Sequence, residues 1–271
     1  MNFTRKKLVG IFLPLITSSF SVIQVNPSLA ATLVNWDTIG WQDGILNQEL
    51  QSGNNTIKID FRLGSEAQFV NFVGRMTPSV SGLVNGSNPD SGENIDQSLH
   101  LQLDASQVGA FAEYPGLYSA TMNVNFSESD RLFSDVSFML YDIDISYMWQ
   151  DRVSIIGFSS NSEIAPEFTI QSTDYVEQVD NYTLDGIKNS SNDADNSNVL
   201  VYFSSSISGF QLIFTDGDDI ESSLNPSSHG IGIGDIYYTE ASKDVPEPSS
   251  TLGFLVLGIM GLYSRLKMRC L

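Results

Sequence analysis

Cysteine is nearly missing from this chain of 271 residues, and the single one is Cys270. The residues before it hold no disulfide, no thiolate metal site and no cysteine nucleophile. Histidine is almost as scarce. The two, His100 and His229, lie far apart in sequence with no Gly-x-Ser-x-Gly elbow to accompany them, so they read as solvated loop side chains. Basic residues are few as well, 13 Lys and Arg against 32 Asp and Glu for a net charge of −19. Arg5, Lys6, Lys7, Arg265, Lys267 and Arg269 take up much of that small basic complement, which leaves the stretch between them more acidic than the whole. Such a surface repels phosphate and excludes nucleic acid as a partner, while it favours solubility and cations. No repeat of fixed period is found, which argues against a propeller or solenoid. Helical spacing is nearly absent too.

What is present begins with an export signal. Residues 1–30 run from the basic cluster Arg5-Lys6-Lys7 through the apolar stretch LVGIFLPLI to Ser28-Leu29-Ala30, the order of a secretory signal peptide with its cut expected after Ala30. Signal peptidase is the partner this implies. There is no twin-arginine pair, and no cysteine follows the apolar run to carry a lipid.

The other end is organised in three parts: Pro246-Glu247-Pro248, an apolar stretch over residues 251–264, and the basic residues Arg265, Lys267 and Arg269. As a helix the apolar stretch would reach about 21 Å, short of a hydrocarbon core of about 30 Å, so a single apolar helix there spans only marginally. Its basic end is expected to stay cytoplasmic, with the body outside. This order, over residues 245–271, resembles the PEP-CTERM sorting tail. The resemblance implies recognition by a membrane-embedded sorting protease of the exosortase kind, with Pro246, Glu247 and Pro248 as the sorting motif. It also implies contact with the membrane before processing, and a final place in the cell envelope, at the cell surface or in an extracellular matrix.

Between the ends the apolar period is two. Ile57, Ile59, Phe61 and Leu63 alternate with polar residues, as do Leu99, Leu101 and Leu103, then Met122, Val124 and Phe126, then Val136, Phe138 and Leu140. Runs over 152–158, 199–203, 210–214 and 231–238 continue the pattern, separated by Gly, Asn, Asp, Ser and Pro. Strands so spaced predict an all-β domain over residues 31–244, a β-sandwich in preference to a barrel. Polar stretches over 77–94 and 185–198 are expected loops, the second a candidate binding loop.

The segment SFMLYDIDISYMWQDRVSIIGF and the later NPSSHGIGIGDIYY resemble an uncharacterised extracellular domain that precedes PEP-CTERM tails. The matching residues are Asp142-Ile143-Asp144, 149–153 and 230–236, and the likeness covers 118–239. It implies a sandwich of jelly-roll kind and no settled activity.

Three carboxylates stand out within it. On a strand Asp142 and Asp144 would share a face, with Asp151 beyond a turn that holds Tyr147 and Trp149; carboxylates so gathered suit calcium, which takes six to eight oxygens. Calcium is the one cofactor this pattern would take. The alternative is that Asp151 pairs with Arg152 or a neighbour while the others face water. A second acidic turn, Asp216-Gly217-Asp218-Asp219, is a weaker candidate, and neither has EF-hand spacing. YDIDIS is also a near miss to the Glu-x-Asp-x-x-Glu strand of laminarinase-like glycosidases. It would put Asp142 at the nucleophile position and Tyr147, no usual acid, at the acid position. The body is therefore expected to be no enzyme, with an extracellular polysaccharide hydrolase as the alternative. Trp36, Trp41 and Trp149 could instead stack sugar rings, against the plainer expectation that they pack in the core.

Overall fold

The computed structural model describes residues 32–81, 97–105, 118–126, 132–160, 162–192, 194–219 and 228–240. The expected signal peptide, the sorting motif Pro246-Glu247-Pro248 and the apolar tail lie outside these residues, as does most of the 77–94 stretch. Among the described residues no helix is long and apolar enough to cross a membrane.

Alternating burial makes the strands. The first group is β1 (Thr32–Val34), β2 (Asn47–Ser52), β3 (Asn55–Leu63), β4 (Ala67–Phe69), β5 (Asn71–Phe72), β6 (Arg75–Met76) and β7 (Ser79–Ser81). The long central strands follow: β8 (Ser98–Ala105), β9 (Ser119–Phe126), β10 (Phe133–Tyr141) and β11 (Asp151–Ser159). Short strands β12 (Ser162–Ile164), β13 (Glu167–Ile170), β14 (Val176–Gln178) and β15 (Thr183–Gly186) come next, then β16 (Val199–Phe203), β17 (Gly209–Asp216), β18 (His229–Ile233) and β19 (Ile236–Glu240). In β11 the inward positions are Asp151, Val153 and Ile155, and in β17 they include Leu212, Phe214 and Asp216.

All pairings are antiparallel and form two large sheets, stacked as in a β-sandwich, and one small ribbon of β5 and β6. In the eight-stranded sheet the order is β14-β15-β11-β17-β9-β3-β2, with β12 added to β11. The nine-stranded sheet is centred on β10, which carries β16 along one edge and shares the other between β19 and β18, since Ser137 and Leu140 each have a partner on both sides. β18 continues to β8, and β8 to β4 and β7. The single run expected over 231–238 is thus two strands. The break falls at Gly234 and Asp235, where the Gly234 N–H bonds the Met139 carbonyl and Asp235 turns its carboxylate onto the Trp36 N–H at 2.9 Å.

The core fills the space between the sheets. Met122, Val124, Leu212, Phe214, Val136, Phe138, Ile231 and Ile233 are all buried, and a side chain of this size contributes about 1.5–3 kcal/mol when fully removed from water. Trp36 and Trp41 belong here: Trp36 stands edge-on to Trp41, Trp41 to Phe61 and Phe61 to Phe69. They pack rather than present a sugar platform. The stretch over 77–94 is not wholly loop, because Ser79–Ser81 pairs with β8.

Candidate functional site

At one end of the sandwich the strands stop carrying apolar residues inward and carry polar ones. Asp151 opens β11 and Asp216 closes β17, directly opposite each other and both facing the core. His229 opens β18 on the facing sheet, in the inward register of Ile231 and Ile233. Its Nδ1 lies 2.6 Å from Asp151 Oδ1, with neither side chain reached by solvent to more than 1%. This bond joins the two sheets across the core. The His229 ring lies parallel to Tyr118 and against Phe214, which fixes its plane.

Burial pushes both partners toward their neutral forms. The His229 imidazole is lowered to about 4 by loss of water, against the opposing pull of Asp216, Asp144 and Asp104. Burial likewise raises Asp151 well above the usual carboxylate range, and Asp144 nearby adds to it. A neutral imidazole that donates from Nδ1 keeps a lone pair on Nε2. That Nε2 is buried and has no hydrogen-bond partner among the described residues.

The chain between β10 and β11 builds the wall beside it. β10 ends at Tyr141, and Asp142 turns out of the strand with φ of 63°, a conformation Asp tolerates better than most residues. The expectation that Asp142 and Asp144 share a strand face is therefore corrected: both belong to the turn that follows. Ser190 N–H donates to Asp144 Oδ2 at 2.8 Å, which holds the 187–198 connection against this turn. Asp144 N–H in turn donates to Asp151 Oδ2 at 3.1 Å. Burial raises the Asp144 carboxyl above its usual range, opposed by the Ser190 and Trp149 hydrogen bonds.

Around these groups lies a cleft of about 240 Å³. Asp142, Asp144, Trp149 and His229 form one part of its wall, and Asn189, Ser190 and Asn192 another. Phe72, His100 and Gln102 line it from the outer face of β8. His100 sits against the Phe72 ring, bonds Gln102 through Nε2 at 2.9 Å and leaves Nδ1 buried without a partner among the described residues. Gly230 leaves the room that His100 and Gln102 occupy: a β-carbon there would strike the Gln102 amide oxygen and crowd the His100 ring.

No family model, no curated protein and no solved structure matches the chain.

The site gathers two of the three expected metal ligands in one wall. Asp142 and Asp144 line the cleft, whereas both oxygens of Asp151 are engaged behind it, by His229 and by the Asp144 backbone. Among the described residues no group of three or more His, Cys, Asp or Glu is arranged to hold a metal ion. Nor does Asp151 pair with its neighbour Arg152. Arg152 grips both oxygens of Asp185 at 2.7 Å and reaches Asp218 of the second acidic turn at 2.8 Å. Tyr147 is two-thirds exposed and does not line the cleft, and Trp149 is half-buried in its wall.

The two histidines are the plainest correction. Both are buried, at 1% and 2% exposure, and both line one cleft despite the distance between them in sequence. A signal for His229 existed in the alternation His229-x-Ile231-x-Ile233, which puts the ring on the apolar face of its strand. Nothing comparable marked Tyr118.

Proposed function

We propose that the protein is an exported, non-enzymatic component of the cell surface or extracellular matrix, a sandwich of jelly-roll kind that binds polysaccharide through the cleft at its sheet ends. The observation that carries this reading is the cleft wall, where the Trp149 and Phe72 rings accompany Asp142, Asn189, Ser190 and Asn192. Sugar rings lay apolar faces on aromatic side chains while their hydroxyls bond carboxylates, amides and hydroxyls. At about 240 Å³ the cleft falls below the roughly 300–1,000 Å³ of pockets for larger ligands, which suits a single sugar unit of a longer chain.

The ends of the sequence support the route. The order of residues 1–30 favours signal peptidase as the first processing partner, and the 245–271 tail favours an exosortase-like protease as the second, with transient membrane contact through 251–264. The cleft carboxyls support a binding role over hydrolysis, because Asp144 is engaged by the Ser190 N–H and the Trp149 side chain and Tyr147 stands away from the cleft.

A glycan array probed with the purified full chain tests the reading. Retention on a defined set of glycans, with no reducing sugar released from them, is expected. Release that disappears in Asp142→Asn would establish the hydrolase alternative instead.

A further inference from the structure

We propose that the outer face of the eight-stranded sheet carries a second ligand site, a groove whose ligand class is a neutral oligosaccharide. The groove shares no lining residue with the cleft at the sheet ends, so it stands or falls apart from the reading of that cleft.

The groove holds about 540 Å³, within the roughly 300–1,000 Å³ usual for ligand pockets. Its floor follows from strand register. Thr183, Ser154, Ile213 and Thr121 stand side by side across β15, β11, β17 and β9, and Asp185, Arg152, Thr215 and Ser119 form the next row. Four strands set roughly 4.8 Å apart span about 14 Å. Both rows face away from the core, because the residues alternating with them, such as Val153, Leu184, Phe214 and Ala120, are the buried ones. Val179 and Asp180, from the turn between β14 and β15, and Asp218, from the turn after β17, complete the lining.

An ordinary solvated sheet face carries charged side chains, as Lys58 and Glu49 do farther along the same sheet, paired at 2.9 Å. This floor is different. Arg152 is the one cation lining it among the described residues, and two carboxylates cancel it: Asp185 takes two bonds of 2.7 Å and Asp218 one of 2.8 Å. What remains is largely hydroxyl. Ser154 and Thr183 bond each other at 3.0 Å, and no described residue bonds the hydroxyls of Ser119 and Thr121.

Such a surface selects a ligand that can both give and take hydrogen bonds. Ser and Thr hydroxyls donate and accept, as sugar hydroxyls do, whereas an ionised carboxylate only accepts and an ammonium only donates. An anionic ligand would also meet Asp180 and Asp218, on a chain of net charge −19. A cation finds both carboxylates engaged: Asp180 Oδ1 accepts the Tyr182 N–H at 2.7 Å, and Asp218 holds Arg152. Ile213 in the floor and the half-exposed Val179 offer the apolar contact that the C–H face of a sugar ring takes.

Titration calorimetry of the full chain tests this with cellotetraose, maltotetraose and xylotetraose as neutral probes and tetragalacturonate as the anionic one. At least one neutral tetramer is expected to bind in a class of site that Ile213→Asp weakens at least tenfold, with an affinity that holds as salt is raised. Val179→Asp, at an exposed position, is the second variant in case the first does not fold, and it should weaken the same class. Isotherms that coincide for wild type and both variants overturn the groove and leave any binding to the cleft. Binding of no neutral tetramer overturns the groove as well, while the glycan array still decides the cleft. A tetragalacturonate class lost in Ile213→Asp would overturn the assignment to a neutral ligand.

Discussion

Gly186, the last residue of β15, lays its bare α-carbon against the carbonyl of Asp144, where a β-carbon would collide with backbone rather than with a movable side chain. The Gly186 carbonyl also receives the Gln150 side-chain amide at 2.9 Å. The end of β15 in the eight-stranded sheet is thereby locked to the turn that carries the cleft carboxylates. Gly186→Ala is expected to cost about 1–3 kcal/mol, the usual range for forcing extra atoms into a packed site, and to lower the melting temperature by several degrees. Glycan binding should weaken with it, since the Asp144 turn must move. Calorimetric melting of wild type and variant gives the answer, and an unchanged melting temperature would mean that this contact relaxes freely.

The bond between His229 and Asp151 predicts an uneven mutant cycle. Asp151→Ala leaves His229 without the partner of its buried Nδ1, and a buried polar group left unpaired typically costs about 1–3 kcal/mol. His229→Leu strands the Asp151 carboxyl, with the Asp144 N–H as its remaining bond. Urea unfolding of both single variants and of the double is expected to show the double less destabilised than the sum of the two. Additive losses would mean the pair contributes no coupling.

His100 gives a pH dependence whose sign can be worked out. Its folded value is lowered to about 4 by burial, against an ordinary value of 6.5, so the unfolded chain takes up a proton below 6.5 that the fold refuses until about 4. The stability this preserves is fully present above pH 6.5 and is lost as pH falls from 6.5 toward 4, by roughly 3 kcal/mol in all. His100→Gln removes the titrating group. Denaturant unfolding at pH 7 and pH 4 should show a flatter profile for the variant than for wild type, and parallel profiles would refute the assignment.

How far the fold was legible depends on which strands are asked about. The run over 199–203 coincides with β16, and β3, β8, β9, β10, β11 and β17 each contain their expected run, because a buried inner face and a wetter outer face write an alternation into sequence. The short strands β12 to β15 were not read. They hold only three or four residues each, so even the alternation of Glu167-Phe168-Thr169-Ile170, which turns Phe168 and Ile170 toward the core, is too short to stand out as a run. At the site, Asp142 and Asp144 were legible as neighbours, but the alternation misled because Asp142 leaves the strand at positive φ. The histidines were misjudged from their polarity alone. Only the facing sheet supplies the Asp151 carboxylate that makes burial of His229 tolerable, and no local pattern shows which strands will face each other.

Trp149 offers a separable readout. It is half-buried, whereas Trp36 is sealed with its indole N–H on the Gly234 carbonyl at 2.8 Å. Trp149→Ala is therefore expected to lower glycan affinity at least tenfold with a smaller effect on the melting temperature than Trp36→Ala. Calorimetric titration and melting of the two variants check this together. Equal affinity for wild type and Trp149→Ala would remove the ring from the binding surface.

Sorting makes a prediction about mass. If the tail is processed near Pro246-Glu247-Pro248, the mature protein lacks Cys270 and the basic residues Arg265, Lys267 and Arg269. Intact mass spectrometry of protein extracted from cells should find no species that retains them. A mature mass that includes residues 265–271 would favour a plain membrane anchor.

The pairing of β1 with β19 sets a timetable for folding. Thr32 finds its partner in Tyr238, about two hundred positions later, and the central β10 lacks both of its flanking strands until β16, β18 and β19 exist. Closing loops of that length costs entropy before any contact rewards it, which places the domain among slow folders. A chain that emerges from its N-terminus onward must hold β1 and β10 unsatisfied until the last strand arrives. Over that interval the unpaired edges and open apolar faces of those strands are where aggregation competes with folding.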